Sequence, residues 1–178
     1  MANRSAGHGP KTDHLKLALG FCEDFYAELT SIEARTLRLT GPDPTNDLQF
    51  TRNLFAFVCI FRAARDYIYG LVARTPCEVQ VRASLRNDAA IAFHVELADR
   101  GLHTRLITNA RIYYRGGDRD GQRRYNYATS ELEPEARVLY DQLQPSDPNK
   151  SFTAVEIARK GLDALIVVDR SAQVQGAY

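Results

Sequence analysis

Cysteine is scarce in this chain of 178 residues. The three cysteines, Cys22, Cys59 and Cys77, are odd in number, and no two of them form a CxxC pair. A small secreted domain held by disulfides would need a denser, even set, so the sequence excludes a disulfide framework. A zinc site would need clustered cysteine and histidine ligands, which are also missing. Cys22 and Cys59 lie in apolar runs and are predicted to be buried free thiols of a cytoplasmic protein.

Long apolar runs are also missing. The most apolar run, LFAFVCIF at 54–61, is bounded by Arg52 and Arg62, whereas a membrane helix needs about 18 or more such residues. The first residues, MANRSAGHGPKTD, contain no apolar core of the kind that a signal peptide has. We therefore expect no membrane partner, and we expect residues 1–12 to form a flexible tail.

Neither sign of charge dominates, because 23 lysines and arginines face 22 acidic residues, a formal net charge of +1. Any attraction to nucleic acid must therefore come from a local patch. Motifs of fixed spacing are missing too: RGGDRDG at 115–121 is no phosphate-binding loop, and neither GxSxG nor HExxH occurs. The sequence thus predicts no cofactor and no metal.

Helical periodicity is what the first half of the sequence does contain. From Asp13, a candidate cap, apolar residues recur at alternating steps of three and four, which places one apolar stripe along a long helix. The stretch TGPDP at 40–44 ends this helix, since proline cannot continue its hydrogen-bond ladder. The stripe consists of Leu15, Ala18, Cys22, Phe25, Leu29 and Ile32.

A second helix is predicted to start at the candidate caps Thr45, Asn46 and Asp47 and to end near Ala73, before Pro76. Its middle is apolar on all sides, which is typical of a helix surrounded by others. The two helices should therefore supply much of the core. The side chains expected to be buried are Phe25, Leu29, Phe57, Ile60 and Phe61.

Residues 78–102 carry two conflicting patterns. The stretch EVQVRASLR at 78–86 alternates at period two, like a strand. Over a longer range, apolar residues repeat every four positions, and this pattern favours one helix that ends at Gly101. The repeating residues are Val81, Leu85, Ala89, Phe93 and Leu97.

The remaining third combines a hairpin with two helices. Residues 105–115 and 122–128 are rich in β-branched and aromatic side chains around the turn at RGGDRDG, which predicts a β-hairpin at about 105–128. SELE at 130–133 fits a capping box for a short helix that ends near Leu143, and Thr153 with Glu156 fits another for the last helix. The final residues, SAQVQGAY, are expected to trail off. Residues 13–172 are thus predicted to form one mainly α domain, an up-and-down helical bundle with an inserted β-hairpin.

Two of the four histidines lie in FHVELADRGLHTRLI at 93–107. Arg100 and His103 are three residues apart, so a helix would place them on one face. A histidine beside an arginine can act as general acid and base while the arginine holds a phosphate, a pairing that can cut RNA without metal. Asn87 and His94 offer a second such grouping. The alternative is that Arg100 and His103 only neutralise the carbonyls at a helix end.

The predicted hairpin carries a second candidate site. Its arginines are interleaved with tyrosines, and this combination binds phosphates and stacks bases. Such residues also serve simply to keep a hairpin soluble. The candidate RNA-binding residues are Arg115, Arg123, Arg124 and Tyr125.

Three stretches resemble the HEPN (higher eukaryotes and prokaryotes nucleotide-binding) family of helical domains. They are NLFAFVCIFRAARDYIYGLV at 53–72, ELADRGLHTRL at 96–106 and SFTAVEIARKGLDALIVV at 151–168. The resemblance implies an RNA-directed protein, a metal-independent endoribonuclease of a prokaryotic toxin or antiviral system, that acts as a homodimer. It further implies His103 as general acid and base and Arg100 as the phosphate-binding residue, with Arg86 and His94 as alternates.

The spacing of these pairs departs from the family's Arg-x4–6-His motif. In that motif the histidine lies five to seven positions after the arginine. Here His103 lies three positions after Arg100, and His94 lies eight positions after Arg86. Members that lose the motif are interpreted as binding modules. The alternative function is therefore a catalytically silent module that dimerises or binds a partner protein or RNA.

Overall fold

A computed structural model describes residues 10–37, 43–100, 111–113, 122–127, 129–146 and 151–178. These ranges are mainly helical and their helices pack against one another, which confirms the predicted mainly α helical bundle. None of these helices is both long enough and apolar enough to cross a membrane. The helices are α1 (Pro10–Thr36), α2 (Pro44–Val72), α3 (Glu78–Asn87), α4 (Ala89–Arg100), α5 (Pro134–Leu143) and α6 (Ala154–Val174), with a 3-10 turn at Thr129–Glu131 and strands β1 (Arg111–Tyr113) and β2 (Gln122–Arg124).

The α1 and α2 helices form the most extensive helix pair, and both start earlier than predicted. The first begins at Pro10 rather than at Asp13, so residues 10–12 are helical and do not belong to a tail. The second begins at Pro44, because the carboxylate of Asp43 accepts hydrogen bonds from the backbone N–H groups of Thr45 and Asn46. Proline suits the first helical position, where no N–H is required.

Residues 78–100 are helical, as the longer periodicity predicted, but they form two helices instead of one. Asp88 has an extended backbone conformation between α3 and α4. Its carboxylate accepts hydrogen bonds from the backbone N–H groups of Ala90 and Ile91, at 2.9 and 3.0 Å. An aspartate that caps the next helix in this way ends the preceding one.

The helices of the last third differ in how well their starts were predicted. The capping box of α6 is present in full, because Thr153 and Glu156 each accept a hydrogen bond from the other's backbone N–H. The box predicted at SELE is wrong: α5 begins only at Pro134, after Glu133, whose side chain makes no capping bond. Nor do the last residues trail off, because the Tyr178 hydroxyl donates a hydrogen bond back to Asp169 on α6.

The core lies where α1, α2, α4 and α6 meet. Of the five side chains expected inside it, Leu29, Phe57 and Phe61 are fully buried, whereas Phe25 and Ile60 are only half-buried at its edge. The three cysteines are free thiols, as expected. Cys22 is buried, as predicted, and Cys77 is buried too, whereas Cys59 was predicted to be buried and is only half-buried.

The two short strands pair antiparallel, with Arg111 opposite Arg124 and Tyr113 opposite Gln122. The residues between them, 114–121, lie outside the described ranges, so the hairpin over 105–128 stays a prediction. Directly after β2 the chain enters the core, where the Tyr125 ring stacks on Phe50 at a centroid distance of 3.8 Å.

Candidate functional site

The pair expected to carry catalysis, Arg100 and His103, is not described by the structure. Arg100 is the last residue of α4, but its side chain lies outside the described part. His103 lies within residues 101–110, which are also outside it. Their proposed roles in acid–base chemistry and in phosphate binding therefore stay predictions.

His94, the alternate histidine, is completely buried. Its ring is surrounded by Phe57, Phe61 and Phe93, at centroid distances of 4.9–5.6 Å. The Nδ1–H group donates a hydrogen bond of 2.7 Å to the carbonyl of Ala90, one turn earlier on α4. Within the described residues, Nε2 has no hydrogen-bond partner.

Burial also decides the charge of this imidazole. Desolvation lowers the pKa of His94 from 6.5 to about 4, although the carbonyl of Ala90 and the charge of Asp88 act in the opposite direction. The ring is therefore neutral at physiological pH. With no exposed surface, His94 is a core histidine that cannot reach a substrate.

Arg86, the alternate arginine, lies apart from His94. It is exposed on the last turn of α3 and lines a surface groove, whereas His94 is not among the residues of that groove. The Asp88 break explains the separation, because the helical register that would align Asn87 with His94 does not continue from α3 into α4. The structure thus does not bring Arg86, Asn87 and His94 together.

The hairpin residues expected to contact RNA divide into two groups. Arg115 and the side chain of Arg123 lie outside the described part. Tyr125 is fully buried, its hydroxyl bonded to Thr36 and Asp47, so it is a core residue and not a free surface for base stacking. Arg124 is half-buried near Glu33, and its positive charge opposes the effect of burial, which raises the pKa of that carboxyl.

A groove with a volume of about 270 Å³ lies on the surface where four helices meet. It brings residues from α2, α3, α4 and α5 together, with arginines at its polar part and aliphatic side chains along its walls. We call it the arginine groove. Its lining residues are Arg65, Tyr69, Leu85, Arg86, Ala92, Val95, Glu96 and Leu139.

Tyr69 holds two guanidinium groups beside the arginine groove. The guanidinium carbons of Arg65, on α2, and of Arg82, on α3, each lie 5.1 Å from the centre of its ring. A cation over an aromatic face is attracted by the negative face of the ring, and the contact restricts the arginine's rotamers. Arg65 is only 19% exposed. Its Nε–H is a buried donor with no acceptor among the described residues.

The arginines in and beside the groove differ in how far their charges are already neutralised. Arg65 lies 3.3 Å from Asp66, and Arg82 lies 3.0 Å from Glu78. Arg86 forms no ion pair with any carboxylate in the described part of the chain. Arg86 is therefore the lining arginine whose charge is not paired among the described residues, and Arg65 adds a second guanidinium whose position is restricted by Tyr69.

Sequence reasoning missed Arg65 and Tyr69 as site residues. In the sequence, Arg65 is one of several charged residues that follow the apolar run of the second helix. The available signal was the spacing of Arg65 and Tyr69, and of Arg82 and Arg86, because residues four apart share a helix face. Nothing in that spacing shows that the two faces turn towards each other.

Comparisons with protein-family models, with curated proteins and with solved structures found no match to this chain.

Proposed function

We propose that this chain is an RNA-binding helical protein and that the arginine groove is part of its RNA-binding surface. The observation that carries the proposal is the pair Arg65 and Arg86, which come from different helices and line one groove. A guanidinium donates several hydrogen bonds in a planar fork that matches the oxygens of a phosphate. RNA carries such a phosphate at every nucleotide, so a groove of this kind suits its backbone.

The surroundings of the arginines support the same class of ligand. Arg65 is held by Tyr69, so little rotamer entropy is lost when it binds. Arg86 is exposed and unpaired among the described residues, so no ion pair has to break when it meets an incoming phosphate. The resemblance to HEPN domains favours RNA as well, and the predicted hairpin adds Arg115, Arg123 and Arg124 as further phosphate contacts.

We propose binding rather than cleavage. Of the two histidines considered for general acid–base work, His94 is enclosed and neutral. His103 follows Arg100 at a spacing that departs from the resembled motif. Two alternatives remain. One is RNA cleavage by Arg100 and His103, and the other is a catalytically silent module that binds a partner protein.

The test of RNA binding is a titration of fluorescently labelled single-stranded RNA at several salt concentrations. Affinity should fall as salt rises, since phosphate contacts release counterions. Arg86→Gln should weaken binding roughly fivefold, as expected for an exposed charge contact worth about 1 kcal/mol. It should also reduce the steepness of the salt dependence by about 0.7 on the logarithmic scale for a single strand.

Arg52→Gln is the matched control, because it removes the same charge from an exposed position on α2, about 20 Å before Arg65 along the helix axis. It should leave the affinity nearly unchanged. The groove is not the RNA-binding surface if both variants weaken binding equally. If the wild-type protein binds no RNA at all, the proposal is wrong, and the partner-binding alternative takes its place.

A further inference from the structure

We infer that the arginine groove takes one unstacked base of a single-stranded RNA, with the neighbouring phosphate on Arg65 and Arg86. This inference rests on the proposed function and names the form of RNA that the groove selects. It is carried by three features of the groove, namely its volume, the chemistry of its walls and the position of its charges.

The volume limits what can enter. The volume of the groove is about 270 Å³. It lies just below the range of about 300–1,000 Å³ that is typical of pockets for whole small molecules. A groove of this size suits one planar base with part of its sugar.

The walls suit the faces of a base. Leu85, Ala92, Val95 and Leu139 come from three different helices and give the groove aliphatic sides. A bare phosphate gains nothing from aliphatic walls, because burying its charge against them costs solvation energy. A base gains from them, since its flat faces are apolar and are poorly hydrated when unstacked.

The charges orient such a ligand. Arg65 and Arg86, on α2 and α3, attract the phosphate to their part of the groove. The phosphate therefore belongs beside the two arginines and the base beside the aliphatic walls. The guanidinium plane of Arg86 can also stack on the base, as arginines do in single-strand recognition.

Double-stranded RNA cannot use the groove in this way. Its bases are paired and stacked inside the helix, and it presents phosphates, sugars and the edges of base pairs to a protein. To insert a base, the duplex would have to break a pair and two stacking contacts. The groove should therefore distinguish single strands from duplexes, while the surface arginines alone would bind both.

The experiment compares three labelled probes of about ten nucleotides, the size of a typical single-strand site. They are a single-stranded RNA, an oligomer of the same ribose–phosphate backbone without bases, and the RNA duplex. The single strand should bind roughly tenfold more tightly than the abasic oligomer, as expected for one buried base. It should also bind more tightly than the duplex at equal salt.

A groove-filling variant separates the contribution of the base to the affinity from that of the phosphate. Ala92→Leu adds aliphatic volume inside the groove without altering any charge, so it should bring the affinity for the single strand down to that for the abasic oligomer. The steepness of the salt dependence should be unchanged. The matched control is Ala83→Leu, at an exposed position on α3 that does not line the groove. It should behave like the wild type, and thermal unfolding should confirm that both variants are folded.

The outcomes separate this inference from the proposed function. Equal, salt-dependent affinity for the RNA and the abasic oligomer would leave RNA binding intact but overturn base insertion. So would a duplex that binds as tightly as the single strand, or an Ala92→Leu variant that binds like the wild type. If none of the three probes binds, the proposed function itself is wrong.

Discussion

His94 couples the stability of the protein to pH. A proton on this ring would place a positive charge among Phe57, Phe61 and Phe93, and the attraction of the Asp88 carboxylate does not outweigh the loss of solvation. The folded protein therefore resists protonation, whereas in the unfolded chain the same ring is protonated near its ordinary pKa. Acid thus favours the unfolded state.

We expect the free energy of unfolding to fall by up to about 3 kcal/mol between pH 7 and pH 4 on account of His94. The lowered pKa, about 4 in the folded protein against 6.5 in the unfolded chain, sets the window. The stabilisation is present in full above pH 6.5 and is lost as the pH falls towards 4. Urea unfolding at a series of pH values measures it.

The variant His94→Leu isolates this contribution from that of the carboxyl groups. It should flatten the dependence of the unfolding free energy on pH across the same window. His14→Ala, at an exposed position on α1, should leave the wild-type slope in place. If the slope of His94→Leu equals that of the wild type, the ring is not the group that titrates.

The burial of His94 could not be predicted from the sequence, for a physical reason. The period-four pattern predicted that Phe93 and Leu97 face the core, and both are buried. His94 is rotated by about 100° from Phe93 on the helix, which would place it near solvent on a helix with one buried face. However, α4 contacts α2, α3, α5 and α6, so little of its surface is exposed to solvent.

Asp88 shows the limit of periodicity at the scale of an element. Val81, Leu85, Phe93 and Leu97 are all buried, so the pattern correctly identified helical structure and its inner face. The break was not visible in that pattern because the apolar spacing of four continues across it. The signal was Asp88 itself, a residue type that is strongly preferred as a cap and poor inside a helix.

Gly161 sets how closely α6 approaches the centre of the bundle. A Cβ atom built on Gly161 would lie 2.6 Å from Nδ1 of His94 and 3.4 Å from the ring of Phe61. Both rings are fully buried and enclosed, so neither can move aside cheaply. We expect Gly161→Ala to lower the free energy of unfolding by about 1–3 kcal/mol through overpacking, as measured by chemical denaturation.

Gly70→Ala supplies the control, because Gly70 lies near the end of α2 and nothing stands within 4 Å of its added Cβ. That substitution should stabilise the protein by about 0.5–1 kcal/mol, the usual gain from replacing glycine inside a helix. Opposite signs for the two variants are the expected result. A neutral or stabilising Gly161→Ala would show that α6 does not pack as closely as described.

At the scale of the whole molecule, the sequence predicted the bundle far better than the site. The apolar stripe of α1 and the apolar middle of α2 need only one helix at a time to be recognised. To recognise the arginine groove, the packing of four helices must be known, since its lining extends from Arg65 on α2 to Leu139 on α5. Which polar residues meet there depends on how the helices pack against one another, and a single sequence does not contain that information in readable form.

The last prediction concerns the chemistry of the whole protein towards RNA. We expect the purified protein to bind single-stranded RNA and leave it intact in the presence of EDTA. Metal-independent cleavage needs a histidine that can exchange a proton with the ribose 2′-hydroxyl or the leaving oxygen. His94 cannot do so, because it is enclosed and neutral, and the spacing of Arg100 and His103 does not match the resembled motif.

Gel analysis of the RNA after long incubation, with EDTA throughout, measures this outcome. Cleavage that is lost in His103→Ala and in Arg100→Ala, by a factor on the order of 10²–10⁴ as for the removal of a general acid or base, would contradict the prediction. It would assign catalysis to Arg100, at the end of α4, and to His103, which follows it in the sequence. The variant Arg86→Gln separates the two activities: it should weaken binding in the groove, but it should not alter the rate at which bound RNA is cut, because that cleavage would be carried by Arg100 and His103.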